Sequence, residues 1–315
     1  MYNVRPYTPS DRHLWDSFVE NSKNGTFLFA RDYMEYHHDR FDDASCLAEV
    51  PGGEIVALFP ANRTGSRLVS HGGLSYGGMV SDISMTTTRA LDVFAVWLDY
   101  WRGQKIEEII YKTVPSIYCR APSDEDRYAL YRHGAELCRR DVLSVIDLAR
   151  PGPVQGRRLR GAKKAAGHGL EVRESGDLAA FWPILEENLD SRHAVKPVHS
   201  VVEMELLQRR FPQNIRLFAV FHGARMCAGS LLYMAAPAVH AQYIASTPEA
   251  RDIGGLDLLF TSLADSFGPT GGFLDFGSSN EDDGRYLNRG LADFKEGFGA
   301  RAVCHDFYRL SLADS

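Results

Sequence analysis

Apolar residues recur along this chain with two periods, near 3.6 and near 2, and each change of period marks an element. Residues 2–6 read as a short strand. Thr8-Pro9 then supplies an N-cap followed by proline at the first helical position, with Leu14, Trp15 and Phe18 as an apolar stripe. The aromatic-rich residues 27–41 predict a second helix. Residues 45–50 and 55–62 predict strands around Pro51-Gly52-Gly53, a hairpin signal. Helix 86–101, strand 108–113, helix 124–133 and strand 142–148 follow, and Ser123-x-x-Asp126 resembles a capping box.

Ala149-Arg-Pro-Gly-Pro-Val154 is a proline- and glycine-rich linker, beyond which the pattern restarts. A basic helix spans residues 157–166 and a strand 170–173. A helix from Asp177 carries Leu178, Phe181, Ile184, Leu185 and Leu189 on one face, and Ser200-x-x-Glu203 is a capping box opening a helix to Phe211. A meander of strands 215–221, 227–234 and 239–245 leads to helix 253–267, closed by Gly268. Strand 273–276, a polar loop from Gly277, a helix from about Gly284 to Gly297 and strand 301–312 end the chain.

The two halves, 1–150 and 151–315, repeat one order of elements. Asp124–Leu130 (DEDRYAL) aligns with Glu281–Leu287 (EDDGRYL), and Gly134–Asp141 (GAELCRRD) with Gly299–Asp306 (GARAVCHD). The expectation is an α/β chain of two tandem units, each a mixed, largely antiparallel sheet flanked by helices.

Composition narrows the function. The 315 residues are 44% hydrophobic, ample for two cores, and carry a formal charge of −6, which argues against a general nucleic-acid binder. Five scattered cysteines without a C-x-x-C pair exclude a disulfide framework or zinc knuckle. His193 and His199, six apart with no carboxylate at ligand spacing, do not make a metal site. The start has no apolar signal core and no run approaches a membrane span, so a cytoplasmic protein is expected. No Ser/His/Asp or Cys/His hydrolase signature is present, which disfavours a covalent acyl-enzyme.

The stretch Phe273–Gly299, FLDFGSSNEDDGRYLNRGLADFKEGFG, brings an acid on a strand, a Ser-Ser-Asn-Glu loop and a helix bearing Phe294-Lys295. With its Leu-x-x-Phe-Lys-x-x-Phe-Gly at Leu291–Gly299, it resembles the GNAT (acyl-CoA N-acyltransferase) superfamily, best its tandem FemAB/FemX-like branch. Arg251-Asp-Ile-Gly254-Gly255-Leu256 resembles the GNAT phosphate loop, departing from it at Leu256, where a small residue belongs. The resemblance implies that Arg251, Gly254 and Gly255 hold an acyl-CoA pyrophosphate, and that Gln242 and Asp275 lie on two strands that part around the donor's arm. It also gives the basic run Arg157, Arg158, Arg160, Lys163 and Lys164 a phosphate-bearing partner: CoA, a tRNA end or a nucleotide-linked acceptor.

Asp275, Ser279, Glu281, Lys295 and Gln242 are expected close together, with a carboxylate or a histidine (His193 or His199) as base and Lys295 stabilising the oxyanion. The glycine-rich loop Ser70–Gly78 either turns sharply or approaches a ligand. His71, Tyr76, Lys112, Tyr118 and Arg192 are candidate acceptor contacts, with the acceptor expected between the two halves. Three functions remain open: an acyl-CoA N-acyltransferase acting on an amino sugar or cell-envelope precursor, an aminoacyl-tRNA-dependent peptidyltransferase, and a non-catalytic ligand-binding module.

Overall fold

The meander read from alternation is present as Ile215–His222, Arg225–Ala235 and Ala238–Ser246, antiparallel throughout, with Leu170–Ser175 added at its outer edge. Phe273–Ser278 joins Ala238–Ser246 in parallel, and residues 142–147 pair antiparallel with Phe273–Ser278. This computed structural model describes residues 2–193 and 196–313, without the side chains of residues 191–193. The strands named so far belong to the second of two units, which takes Val142–Glu281 and Tyr286–Val303; the first takes residues up to Asp141 together with Asp282–Arg285 and the C-terminal residues from Cys304. The division falls inside a strand, Glu136–Asp147, and not in the Pro-Gly segment after it.

In the second unit, helices cover both faces of the sheet. Ala228 and Leu232 join the core around Phe260, on the helix Gly255–Phe267, whereas the intervening Gly229 meets the ring of Phe181, on the helix Leu178–His193. Phe260, Phe276 and Phe298 pack on one another with centroids 4.6–5.7 Å apart. The capping box at Ser200 and Glu203 forms as read. The last helix is shorter than expected, Arg289–Glu296. The Asn288 side chain caps it by accepting from the Leu291 N–H, and Gly284, at φ 87°, lies outside it in a turn.

The first unit has two sheets. Asn3–Pro6, Cys46–Glu49, Ile55–Phe59 and Val80–Ser81 form one, with the hairpin at Pro51–Gly53 as expected. The other brings together Glu108–Lys112, Arg67–Val69, Asn62–Thr64, Asp42–Asp43 and the end of the last strand, Arg301–Ser311. The unit's core packs Phe59, from the first of these sheets, against Phe94 and Trp97 on the helix Thr87–Gly103. Two readings fail here. The aromatic run is not one helix but a 3₁₀ turn at Phe27–Phe29, an extended Ala30, a short helix Arg31–Met34 and a further 3₁₀ turn. Asp126 is not a cap partner of Ser123; it is buried and accepts from the Tyr111 hydroxyl at 2.8 Å. Gly134 and Gly299, paired in the repeat, both have positive φ (73° and 92°), and each shortly precedes a long strand.

One turn in the second unit sets the entrance to the helix Gly255–Phe267. Gly254 caps it in the left-handed region at φ 91°, and a Cβ there would lie 2.5 Å from the Gly161 carbonyl oxygen on the helix Gly156–Gly167. Gly254→Val is therefore expected to destabilise the fold by roughly 2–5 kcal/mol, adding left-handed strain of ~1–2 to overpacking of ~1–3. Urea denaturation checks it; an unchanged midpoint removes the close approach as a constraint.

Candidate functional site

Ala238–Ser246 and Phe273–Ser278 pair only at Ala238–Phe273, Val239–Leu274 and His240–Asp275, and beyond that point the two parallel strands part. At the open end lies a cavity of about 430 Å³. Ile244, Leu256, Leu291 and Phe294 give it apolar walls; Asn188, Ser246 and Asn288 add polar edges. Arg251 and Gly254 stand at the start of the helix Gly255–Phe267, whose N-terminal end attracts anions. Arg251 is exposed, its Nη2 3.3 Å from both Asn188 Oδ1 and the Ser246 carbonyl. Arg158 also lines the cavity, donating to Asp257 at 2.8 Å and lying 4.5 Å over the Phe294 ring. Burial holds the Asp257 carboxyl above its ordinary range, opposed by Arg158.

At the closed end, one buried carboxylate organises the seam. Asp275 Oδ1 accepts the Gly277 N–H at 2.7 Å, and Oδ2 meets His240 Nδ1 at 2.9 Å. The Gly277 turn, at φ 71°, makes a bulge whose carbonyls face the last helix: Lys295 Nζ donates to Gly277 O at 3.0 Å and to Ser278 O at 2.7 Å. Burial lowers the Lys295 ammonium to about 8, against the opposing pull of Asp275. A second bulge, on the facing strand, leaves Gln242 as the unpaired extra residue, with its Oε1 buried and without a hydrogen-bond partner. Ser279 Oγ is likewise buried and without a hydrogen-bond partner.

No family model and no curated protein matches the sequence. Among solved structures, FemX is similar with a TM-score of 0.68 over 96% of each chain at 13% identity. The fold is that of the tandem GNAT-like proteins of the FemX type. L-PGS from Bacillus licheniformis is similar at a TM-score of 0.61 and 13% identity, covering 99% of this chain and 94% of that one. A tandem GNAT protein from the clavulanic acid biosynthesis pathway follows at 0.53 and 10% identity, covering 100% of both.

In the second GNAT-like unit the expected cluster is only partly assembled. Asp275, Ser279 and Lys295 gather around the Gly277 bulge. Glu281 is exposed in a small hairpin and accepts from Asn288 Nδ2 at 2.9 Å. His199 is buried and tied to the Tyr243 hydroxyl at 2.7 Å, a loop histidine already engaged. Gly255 lies within the helix that Gly254 opens. Arg160 is exposed and does not line the cavity; of the basic run, Arg158 does. The side chains of Arg192 and His193 lie outside the described residues.

The first GNAT-like unit does bring its candidates together, but as a buried cluster. Tyr76 and Tyr118 have ring centroids 4.5 Å apart, and the Tyr76 hydroxyl meets Thr26 Oγ1 at 2.8 Å. The buried Lys112 ammonium donates to the Leu74 carbonyl and is lowered to about 7 by burial, then by Arg139. The glycines of the loop serve self-packing, since a Cβ on Gly77 would lie 1.6 Å from Ser70 O and one on Gly73 2.0 Å from His37 Nε2. Sequence reading missed His240 and Asn188. No local motif marks either, and the His240–Asp275 contact exists only through a parallel pairing of distant segments. Among the described residues no three-ligand cluster for a metal is present, and no helix is long and apolar enough to cross a membrane.

His71, at φ 59°, and His305 are held neutral: burial first and Lys112 second push them down to about 3 and about 4. Both values lie below the ~6.5 of an exposed imidazole. Between pH 6.5 and 4 the unfolded chain therefore binds protons that the folded chain refuses, so stability falls on acidification. His305→Gln is expected to flatten the fall in melting temperature between pH 7 and 4.5. An unaltered slope removes His305 as a contributor.

Proposed function

We propose that this chain is an N-acyltransferase that moves an acyl group from acyl-CoA to the amine of a polar acceptor, such as an amino sugar or a cell-envelope precursor. The observation that carries this reading is the parting of two parallel strands into a cavity, with Arg251 and a left-handed Gly254 at a helix start beside its mouth. An elongated, mostly apolar arm fits between Ile244, Leu256, Leu291 and Phe294, and a phosphate at its far end meets Arg251 and the helix N-terminus. At the closed end, Lys295 sets a buried positive charge behind the bulge. Two of its N–H donors are spent on carbonyls, and the third has no hydrogen-bond partner among the described residues. Charge developing on the thioester oxygen or the departing sulfur gains from such a fixed cation in a low-dielectric setting.

A second reading keeps the chemistry and changes the donor to aminoacyl-tRNA. It is favoured by the spending of Arg158 on Asp257, which leaves Arg251 as the cation at the rim, and by Arg160 and Lys163, which are exposed and make no ion pair among the described residues. The similarity to FemX, whose branch the sequence resemblance links to an aminoacyl-tRNA donor, points the same way.

Acetyl-CoA at about 100 times its Kd should stabilise the protein by about 2.7 kcal/mol, and Arg251→Ala should shrink the shift in melting temperature. Stabilisation by a charged tRNA and none by acetyl-CoA moves the conclusion to the second donor. Lys295→Met should lower kcat about 100- to 1000-fold with little change in KM. A kcat within threefold of wild type removes Lys295 from the chemistry.

A further inference from the structure

The His240–Asp275 pair marks the last point at which the parting strands still touch, so it stands where the closed end of the cleft begins. Asp275 is 1% exposed and both its oxygens are committed, one to the Gly277 N–H and one to His240. A carboxylate so fixed accepts a proton-bearing Nδ1, which leaves the lone pair of His240 on Nε2. That nitrogen has no hydrogen-bond partner among the described residues and is open to solvent, since the His240 side chain is 18% exposed. Gly277 packs on the ring edge: a Cβ there would lie 3.2 Å from His240 Cε1. Among the described residues, the charged and titratable groups around the ring include Asp275 on the adjoining strand, Tyr233 on the other neighbouring strand with its ring centroid 6.4 Å away, and Lys295 behind the Gly277 carbonyl. The loop histidine His199 is already engaged by Tyr243, further along the same strand as His240.

Building on the acyltransfer reading, we propose that His240 is the general base, oriented by Asp275, and that the acceptor is an alkyl amine arriving as its ammonium. His240 Nε2 takes one proton from the ammonium, leaving a neutral amine and an imidazolium whose Nδ1–H stays on Asp275. The amine lone pair forms the C–N bond at the thioester carbonyl carbon, and the tetrahedral species gives its surplus N–H proton to solvent. The C–S bond then breaks, the thiolate takes the proton held by the imidazolium, and His240 returns neutral. One proton is released per transfer. Asp275 accepts the Gly277 N–H and Lys295 donates to the Gly277 and Ser278 carbonyls, so the base's partner and the fixed cation share one bulge.

A strand latch is the competing role, and His240→Asn separates the two. The amide N–H can still reach Asp275, while the free ring nitrogen is gone. With acetyl-CoA as donor and thiol release as readout, methylamine is a protonated acceptor at neutral pH and hydroxylamine a neutral one. The variant should lose about 100-fold or more with methylamine, as expected for a missing base, and less than tenfold with hydroxylamine. Equal losses with both acceptors would make His240 a latch and overturn the proposal. Wild-type rates with methylamine would overturn it too. Carbethoxylation by diethylpyrocarbonate, followed by mass spectrometry, gives an independent reading that needs no turnover. His240 should react faster than the buried His71 and His305, and a saturating acetyl-CoA concentration should protect it. A wild-type His240 that resists the reagent overturns the proposal. Thiol release with neither acceptor in the wild type, alongside a reactive but unprotected His240, overturns the acyl-CoA donor and leaves the base supported.

Discussion

Asp275 is the group on which the second unit's seam depends. A carboxylate taken this far from water is costly unless its lone pairs are filled. Here the filling is done by a backbone N–H two residues on and by a histidine from the neighbouring strand. The first bond forces the chain into the Gly277 turn and the second ties Phe273–Ser278 to Ala238–Ser246. Together they fix where the strands stop pairing, hence where a cavity can begin. The bulge then presents two carbonyls to one side, and Lys295 satisfies both. Burial of an acid thus dictates a turn, the turn dictates a cation's place, and the cation lies beside the cleft.

The first unit uses buried polar groups differently. His71, Lys112 and His305 are each shifted toward their neutral forms, mainly by burial. Around them, glycines let the loop from Ser70 fold onto its own carbonyl and onto His37. The two units share a fold yet differ in what their polar residues do. One keeps an open cavity with a cation at its rim; the other closes its polar residues into a packed interior.

Much of the architecture was legible because it is written in local periodicity. The meander, the Pro51–Gly53 hairpin, the Ser200 capping box and the tandem repeat all follow from spacing over a few residues. The aromatic run from Phe27 was misread because its residues are spaced for burial on several faces, and extended Ala30 interrupts it. Ser123 and Asp126 matched a capping pattern, but Tyr111, from a strand, claimed the carboxylate. At the site, Lys295, Asp275 and Arg251 were legible from their motif context. His240 was not, because its significance comes from register between strands separated by a whole helix. Arg158 was visible only as one of five basic residues; packing against Phe294 and Asp257 singles it out.

The route of the chain has a consequence for biosynthesis. Glu108–Lys112 finds one of its two strand neighbours in residues 307–311, which follow every residue of the second unit in sequence. Until those residues emerge from the ribosome, one edge of that strand carries unpaired N–H and C=O groups. Open edges of this kind invite pairing with other chains. The first unit's sheet therefore stays incomplete while the second unit is being made, and its open strand edge is exposed for all of that time.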